Sequence, residues 1–122
     1  MKIHELSPIL WTKSIPETIT FYEEVLGFSS QSNFPNFISF EKDDTRIMFV
    51  VPQEPPNPFK PALTGSIYLF VDDVNAFWER VKNKASIKSP LADRAYLMKD
   101  FCIVDNNGYE LVFGQDISER SK

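Results

Sequence analysis

SIYLFVDDVNAFWERVK, residues 66–82, is the stretch that decides the fold. Its first six residues place Ser66, Tyr68 and Phe70 on one side and Ile67, Leu69 and Val71 on the other, the two-residue period of a strand. Asp72-Asp73 break that run, and Asp73 stands where a carboxylate caps the first free amides of a helix. Val74, Phe77, Trp78 and Val81 then recur at i, i+3, i+4 and i+7 as one apolar stripe. Lys82 and Lys84 suit the negative end of that helix. The same order occurs earlier. Residues 5–12 read as a strand, Ser14 as a cap with Glu17 placed to reach back, and Pro16 as a tolerated first-turn residue. Ile15, Ile19, Tyr22, Val25 and Leu26 form the stripe, and Gly27 is a left-handed stop. A unit of this kind cannot cover its own apolar face, so two copies are expected to pack side by side and leave a cupped surface.

Each helix is followed by short strand-like runs. In the first copy these are 28–34, 37–41 and 45–51, separated by turn signals at Pro35-Asn36 and Asp43-Asp44. In the second they are 87–93 (interrupted by Pro90), 96–104 and 109–113, with Asn106-Asn107-Gly108 as a tight turn. Five prolines between 52 and 61 deny both helix and strand pairing. The predicted class is α+β: two β-α-β-β-β modules forming a cupped mixed sheet. Module one is expected at 1–52, a Pro-rich linker at 53–63, module two at 64–116 and a polar tail at 117–122.

The balance of charge removes several functions. A formal net charge of -4 over 122 residues argues against a nucleic-acid partner, which needs a basic face to displace counterions. Cys102 and His4 are each the sole residue of their type, so neither a disulfide nor a thiolate metal cluster is expected. The opening MKIHELSP lacks the apolar run of a signal peptide, and no stretch is long or apolar enough to span a bilayer. No membrane partner is expected, and a reducing cytoplasm is the expected location. There is no glycine-rich phosphate loop and no nucleophile elbow. Cys102, in a strand without a nearby histidine, reads as a buried inert thiol.

Alternation within the strands assigns two faces. Leu10, Ile47, Phe49, Ile67, Leu69, Leu111 and Phe113 form a wholly apolar face for the helices. The opposite face collects Ser7, Ile9, Trp11, Arg46, Met48, Val50, Ser66, Tyr68, Phe70, Glu110 and Val112. An apolar and aromatic wall with few polar groups is the makeup of a small-molecule pocket. Aromatics make up 14% of the chain, which serves core filling or a ligand cavity equally well. Arg46 and Glu110 are the only charges on that face. Buried there, they pair with each other or with a ligand, unless they reach the rim.

Three stretches together resemble a known family. They are SPILWTKSIPETITFYEEVLGF (7–28), SIYLFVDDVNAFWERVK (66–82) and KDFCIVDNNGYELVFGQ (99–115). The chain resembles the vicinal oxygen chelate superfamily of glyoxalases, bleomycin resistance proteins and dioxygenases, and is most similar to the bleomycin-resistance type. The metal enzymes of that superfamily place ligands at four positions, which fall here on Ser7, Met48, Ser66 and Val112. None offers a histidine, glutamate or glutamine, so the resemblance implies a metal-free branch with no cofactor. It also implies a homodimer with two sites.

The reading that follows is a metal-free protein that sequesters an aromatic, planar or cationic small molecule. Trp11, Arg46, Met48, Tyr68, Phe70, Tyr96, Glu110 and Val112 are its expected ligand-binding residues, and no catalytic residue is expected. One alternative is a metal-dependent lyase, isomerase or thiol transferase whose ligands come from His4, Glu5 and Glu110. Another is a dimeric interaction module without a ligand.

Overall fold

The computed structural model describes residues 1–32, 34–53 and 60–118. Residue 33, most of the expected linker (54–59) and the end of the expected tail (119–122) lie outside the described residues. The chain divides into two compact units, Met1–Pro61 and Ala62–Lys122.

In the first unit β1 (Ile9–Trp11) leads to α1 (Ile15–Ile19), followed by β2 (Ser29–Gln31), β3 (Phe37–Lys42) and β4 (Thr45–Val50). Ser14 caps α1, its hydroxyl accepting from the Glu17 amide at 3.2 Å. The helix then widens into a π-helical stretch over Thr20–Val25, where the Leu26 amide reaches back to the Phe21 carbonyl. Gly27 ends it at φ 83°, as expected for a left-handed stop. The sheet order is β1-β4-β3-β2, with β1 parallel to β4 and the other pairs antiparallel. Tyr22, fully buried, stacks on Phe40 at 4.9 Å and meets Phe49 edge-on at 5.2 Å. Those rings, with Ile38 and Ile47, are the core that the helix covers.

The second unit repeats this plan. β5 (Ile67–Phe70), α2 (Val74–Val81), β6 (Ser86–Asp93), β7 (Met98–Val104) and β8 (Glu110–Asp116) give the order β5-β8-β7-β6. Asp73 caps α2 by accepting from the Ala76 amide at 3.1 Å. Phe77 and Trp78 pack their rings on Phe101 and Phe113, with centroids 4.7–6.2 Å apart. Both sheets are mixed and four-stranded, one in each β-α-β-β-β module.

Several expected strand bounds change: β1 is Ile9–Trp11 rather than 5–12, β2 is Ser29–Gln31 rather than 28–34, and β8 is Glu110–Asp116 rather than 109–113. Pro90 does not break β6. It sits in a strand whose register shifts twice against β7, between Ile87 and Ser89 and between Ser89 and Ala92, and irregular pairing of this kind is where proline fits. Tyr96 belongs to the β6–β7 turn rather than to β7, because Leu97 takes φ 64° and the strand resumes only at Met98.

Candidate functional site

The two helix-free sheet faces solve the problem of polar groups differently. On the first, Ile9 and Trp11 of β1 are about half exposed, at 57% and 51%. Ladder pairing sets Ile9 beside Met48 and Trp11 beside Val50. Glu41 of β3 lies directly opposite Arg46 of β4, and the two form an ion pair at 3.0 Å. Glu5 approaches the same guanidinium at 3.5 Å. Ser39, opposite Met48 on one side and Gln31 on the other, is buried.

On the second face a single carboxylate gathers three donors. Asp100, only 3% exposed, accepts from Tyr68 Oη at 2.9 Å, Tyr96 Oη at 2.6 Å and Arg94 Nε at 2.8 Å. Burial by itself would raise its pKa. The bonds from Tyr96, Arg94 and Tyr68 and the guanidinium charge outweigh that and hold it below the usual carboxylate range. Both phenols are pushed up in turn, Tyr68 by burial and then by the bond to Asp100, and Tyr96 chiefly by its bond to Asp100. Arg94 is fixed further by bonds to the Pro90 and Asp100 carbonyls.

Gly114 makes this arrangement possible. It pairs with Asp100 on β7 and with Phe70 on β5. A Cβ there would collide with Tyr68 Oη and lie 2.6 Å from its Cζ. The missing side chain is therefore the slot that holds the phenol. Phe70 lies beside Tyr68 with ring centroids 4.9 Å apart, and is 77% exposed.

The structure distributes the eight expected site residues over both units. Trp11, Arg46 and Met48 belong to the first, and Tyr68, Phe70, Tyr96, Glu110 and Val112 to the second. Of these, Tyr68 and Tyr96 come together on Asp100, with Phe70 beside Tyr68. Of the alternatives left open for Arg46 and Glu110, pairing inside the face or reaching the rim, the structure shows the second. Their side chains are 44% and 35% exposed, and each finds an opposite charge within its own sheet: Glu41 for Arg46, and Lys88 at 2.6 Å for Glu110. The reason is geometric: Glu41 lies directly across the ladder from Arg46, and Lys88 of β6 reaches past β7 to Glu110 of β8. Asp100, Arg94, Gly114 and Ser39 were not among the expected site residues. An aspartate directly before the apolar run FCIV was the available signal for the first.

The second unit also has an open pocket of about 650 Å³, lined by Val71, Asp72, Asp93, Lys99, Gln115, Asp116 and Ile117. None of the eight expected residues lines it.

The donor set does not fit a resident divalent metal. The four positions inherited from the resemblance are Ser7, Met48, Ser66 and Val112, whose hydroxyls, thioether and alkyl group are poor or useless ligands for a hard cation. Ser7 donates its hydroxyl to Glu5. Glu5 and Glu110 are engaged by Arg46 and Lys88. Among the described residues no group of three or more histidine, cysteine, aspartate or glutamate side chains is placed to hold a metal ion.

Residues 2–113 match the family model of the Glyoxalase/Bleomycin resistance protein/Dioxygenase superfamily. No curated protein matches. Among solved structures, a glyoxalase/bleomycin resistance protein/dioxygenase from Nocardioides is 17% identical, covering 98% of this chain and 87% of its own, with a TM-score of 0.79. A protein from the mobile metagenome of V. Pseudocholerae is 27% identical, with coverages of 94% and 96% and a TM-score of 0.70. A lactoylglutathione lyase from Agrobacterium tumefaciens is 15% identical, with coverages of 94% and 96% and a TM-score of 0.70.

Proposed function

This chain belongs to the glyoxalase/bleomycin resistance protein/dioxygenase superfamily, and from that premise we propose that it binds and sequesters a planar aromatic molecule without a metal. The observation that carries this reading is the exposure of Trp11, Phe70 and Tyr96, at 51%, 77% and 62%, beside sheet positions that offer no metal donors. Large aromatic side chains left in water gain most from stacking against a flat ligand, at about 0.5–1.5 kcal/mol per ring pair beyond the burial itself. The proposed binding residues are Trp11, Arg46 and Met48 on the first module and Tyr68, Phe70, Tyr96, Glu110 and Val112 on the second. The Tyr68–Asp100–Tyr96 bonds hold two of those rings in fixed orientation, so little rotamer entropy remains to be lost on binding. The working form in this proposal is a homodimer, the resistance-type role is sequestration, and the setting is the cytoplasm.

The two tryptophans make a direct test possible. Trp78 lies in α2 against Phe101, on the helix side of its sheet, so a Trp78→Phe variant leaves Trp11 as the sole reporter. Titration with bleomycin and with neutral and cationic planar aromatics is expected to quench Trp11 saturably for at least one class. Phe70→Ala should weaken that binding several-fold. Silence across the whole panel would remove the ligand-binding reading. Equilibrium sedimentation reads the dimer separately.

A further inference from the structure

We propose that Ser39 is the hydrogen-bonding anchor of the first module's open face, and that it selects a planar aromatic carrying an un-ionised hydroxyl. This deepens the ligand-binding reading above and rests on it. Ser39 is 8% exposed, and among the described residues its Oγ has no hydrogen-bond partner. A hydroxyl removed from water and left unpaired costs free energy that alanine would not. A fold that only needed to fill this position has no use for the oxygen.

Strand alternation fixes the direction of the side chain. Ile38 and Phe40, its neighbours in β3, are buried on the helix side, where Phe40 stacks on Tyr22. Ser39 therefore faces the opposite way. On that face its ladder partners are Gln31 and Met48, and Met48 in turn pairs with Ile9, two residues from Trp11. The orphaned hydroxyl thus lies in the same strip as the half-exposed Ile9 and Trp11 that the binding reading uses. Gln31 and Met48 are unbranched side chains with freely turning torsions. One of them moves aside when the ligand's hydroxyl reaches Oγ.

The same strip disfavours an anionic ligand. Arg46 is already occupied by Glu41 at 3.0 Å and by Glu5 at 3.5 Å. Two carboxylates against one guanidinium leave that cation engaged and not free to hold an anion, whereas one neutral hydrogen bond remains to be made. A phenol satisfies it as donor or acceptor, because a serine hydroxyl serves as either.

Equilibrium dialysis with 2-naphthol and naphthalene tests this, as the probes differ by one hydroxyl. Wild-type protein is expected to hold 2-naphthol about fivefold more tightly than naphthalene, the size of one net hydrogen bond. In Ser39→Ala the preference should vanish while naphthalene binding stays, and Ser39→Thr should retain it. Unliganded Ser39→Ala should melt no lower than wild type, since it loses no structural bond. Equal binding of the two probes by wild type, a preference that survives in Ser39→Ala, or a clear fall in its melting temperature would each overturn the assignment and leave the ligand-binding reading standing. Failure of both probes to bind would overturn this inference, and together with silence of Trp11 across the panel above it would remove the ligand-binding reading as well.

Discussion

The two modules share strand order, pairing sense and helix placement, yet they treat polar groups on the helix-free face in opposite ways. Module one keeps its charges at the surface, with Arg46 between Glu41 and Glu5, and buries a serine hydroxyl that bonds to nothing among the described residues. Module two buries a full carboxylate and satisfies it three times over. The helices differ as well. α2 is a regular eight-residue helix, whereas α1 runs for five residues before it opens into a π-helical stretch. One topology therefore tolerates two polar designs: a rigid prearranged face in module two, and a face with an unfilled hydrogen bond in module one. The rigid face suits orientation and the unfilled one suits selection.

The largest effects should come from the aromatic cores beneath those faces. Tyr22 and Phe101 are each fully buried in a cluster of rings. Tyr22→Ala and Phe101→Ala are each expected to cost about 3–5 kcal/mol in urea unfolding. Amide exchange read separately on peptides of 9–50 and 67–116 shows whether the modules answer together. Loss of protection confined to the mutated module would make them independent folding units. Equal loss in both would make the repeat a single cooperative body, and the contrast between the faces would then be purely local.

Next in size is Asp100. Its folded pKa lies below the ordinary value, so the stability it contributes is fully present above about pH 4 and is lost as pH falls through the folded pKa. Asp100→Asn keeps the shape but removes the charge that accepts from Arg94, Tyr68 and Tyr96. The expected loss at pH 7 is about 2–3 kcal/mol, the scale of hydrogen bonds to an ionised group. The difference between variant and wild type should shrink as pH is lowered from 5 to 2. A difference that stays constant over that range would mean that the carboxylate's ionisation is not what holds the cluster.

Gly114→Ala probes the same cluster by volume alone. The added methyl occupies the slot of the Tyr68 phenol, so the ring must leave or the strand must shift, at about 1–3 kcal/mol. The double variant Gly114→Ala with Tyr68→Ala removes the clash and should be less destabilised than the sum of the two single changes. Strict additivity would show that the glycine serves another purpose.

How far the sequence could be read follows from the range of each interaction. Ser14, Asp73 and Gly27 act within four residues of themselves, and their capping and stopping roles are visible in the chain. Face alternation in 66–71 and 45–51 is equally local, and the buried set Leu10, Ile47, Phe49, Leu111 and Phe113 follows from it. Asp100 is different. Tyr68 lies 32 residues away, and only the register that sets Gly114 between Phe70 and Asp100 brings phenol and carboxylate together. The partners of Arg46 and Glu110 were left open in the sequence for a similar reason, because Glu41 and Lys88 come within reach only once the strands are placed in their sheets. The π-helical stretch is hidden because Tyr22 and Leu26 are four apart and suit a regular helix equally well. An orphan such as Ser39 is hidden because FISFEK reads as ordinary alternation.

The smallest expected difference lies at the helix caps, and it bears on why α1 can afford its irregularity. Removing a cap typically costs about 0.5–2 kcal/mol. Asp73 acts through one bond to the Ala76 amide and through its charge near the positive end of α2. Ser14 bonds the Glu17 amide, but its own backbone is held independently. Thr18 Oγ donates to the Ser14 carbonyl at 2.8 Å, and the Ser14 amide donates to Thr12 Oγ at 3.2 Å. Thr12 and Thr18 are both fully buried and lie within 3.0 Å of each other. The start of α1 is thus clamped from two sides before its cap is counted, so the turns that follow can widen without unravelling. Asp73→Ala should therefore cost about 1 kcal/mol and Ser14→Ala about half of that, while Thr18→Val, which removes the clamp, should exceed both. If Ser14→Ala proves as costly as Asp73→Ala in the same urea titration, the threonines are packing residues only, and the irregular helix of module one needs another support.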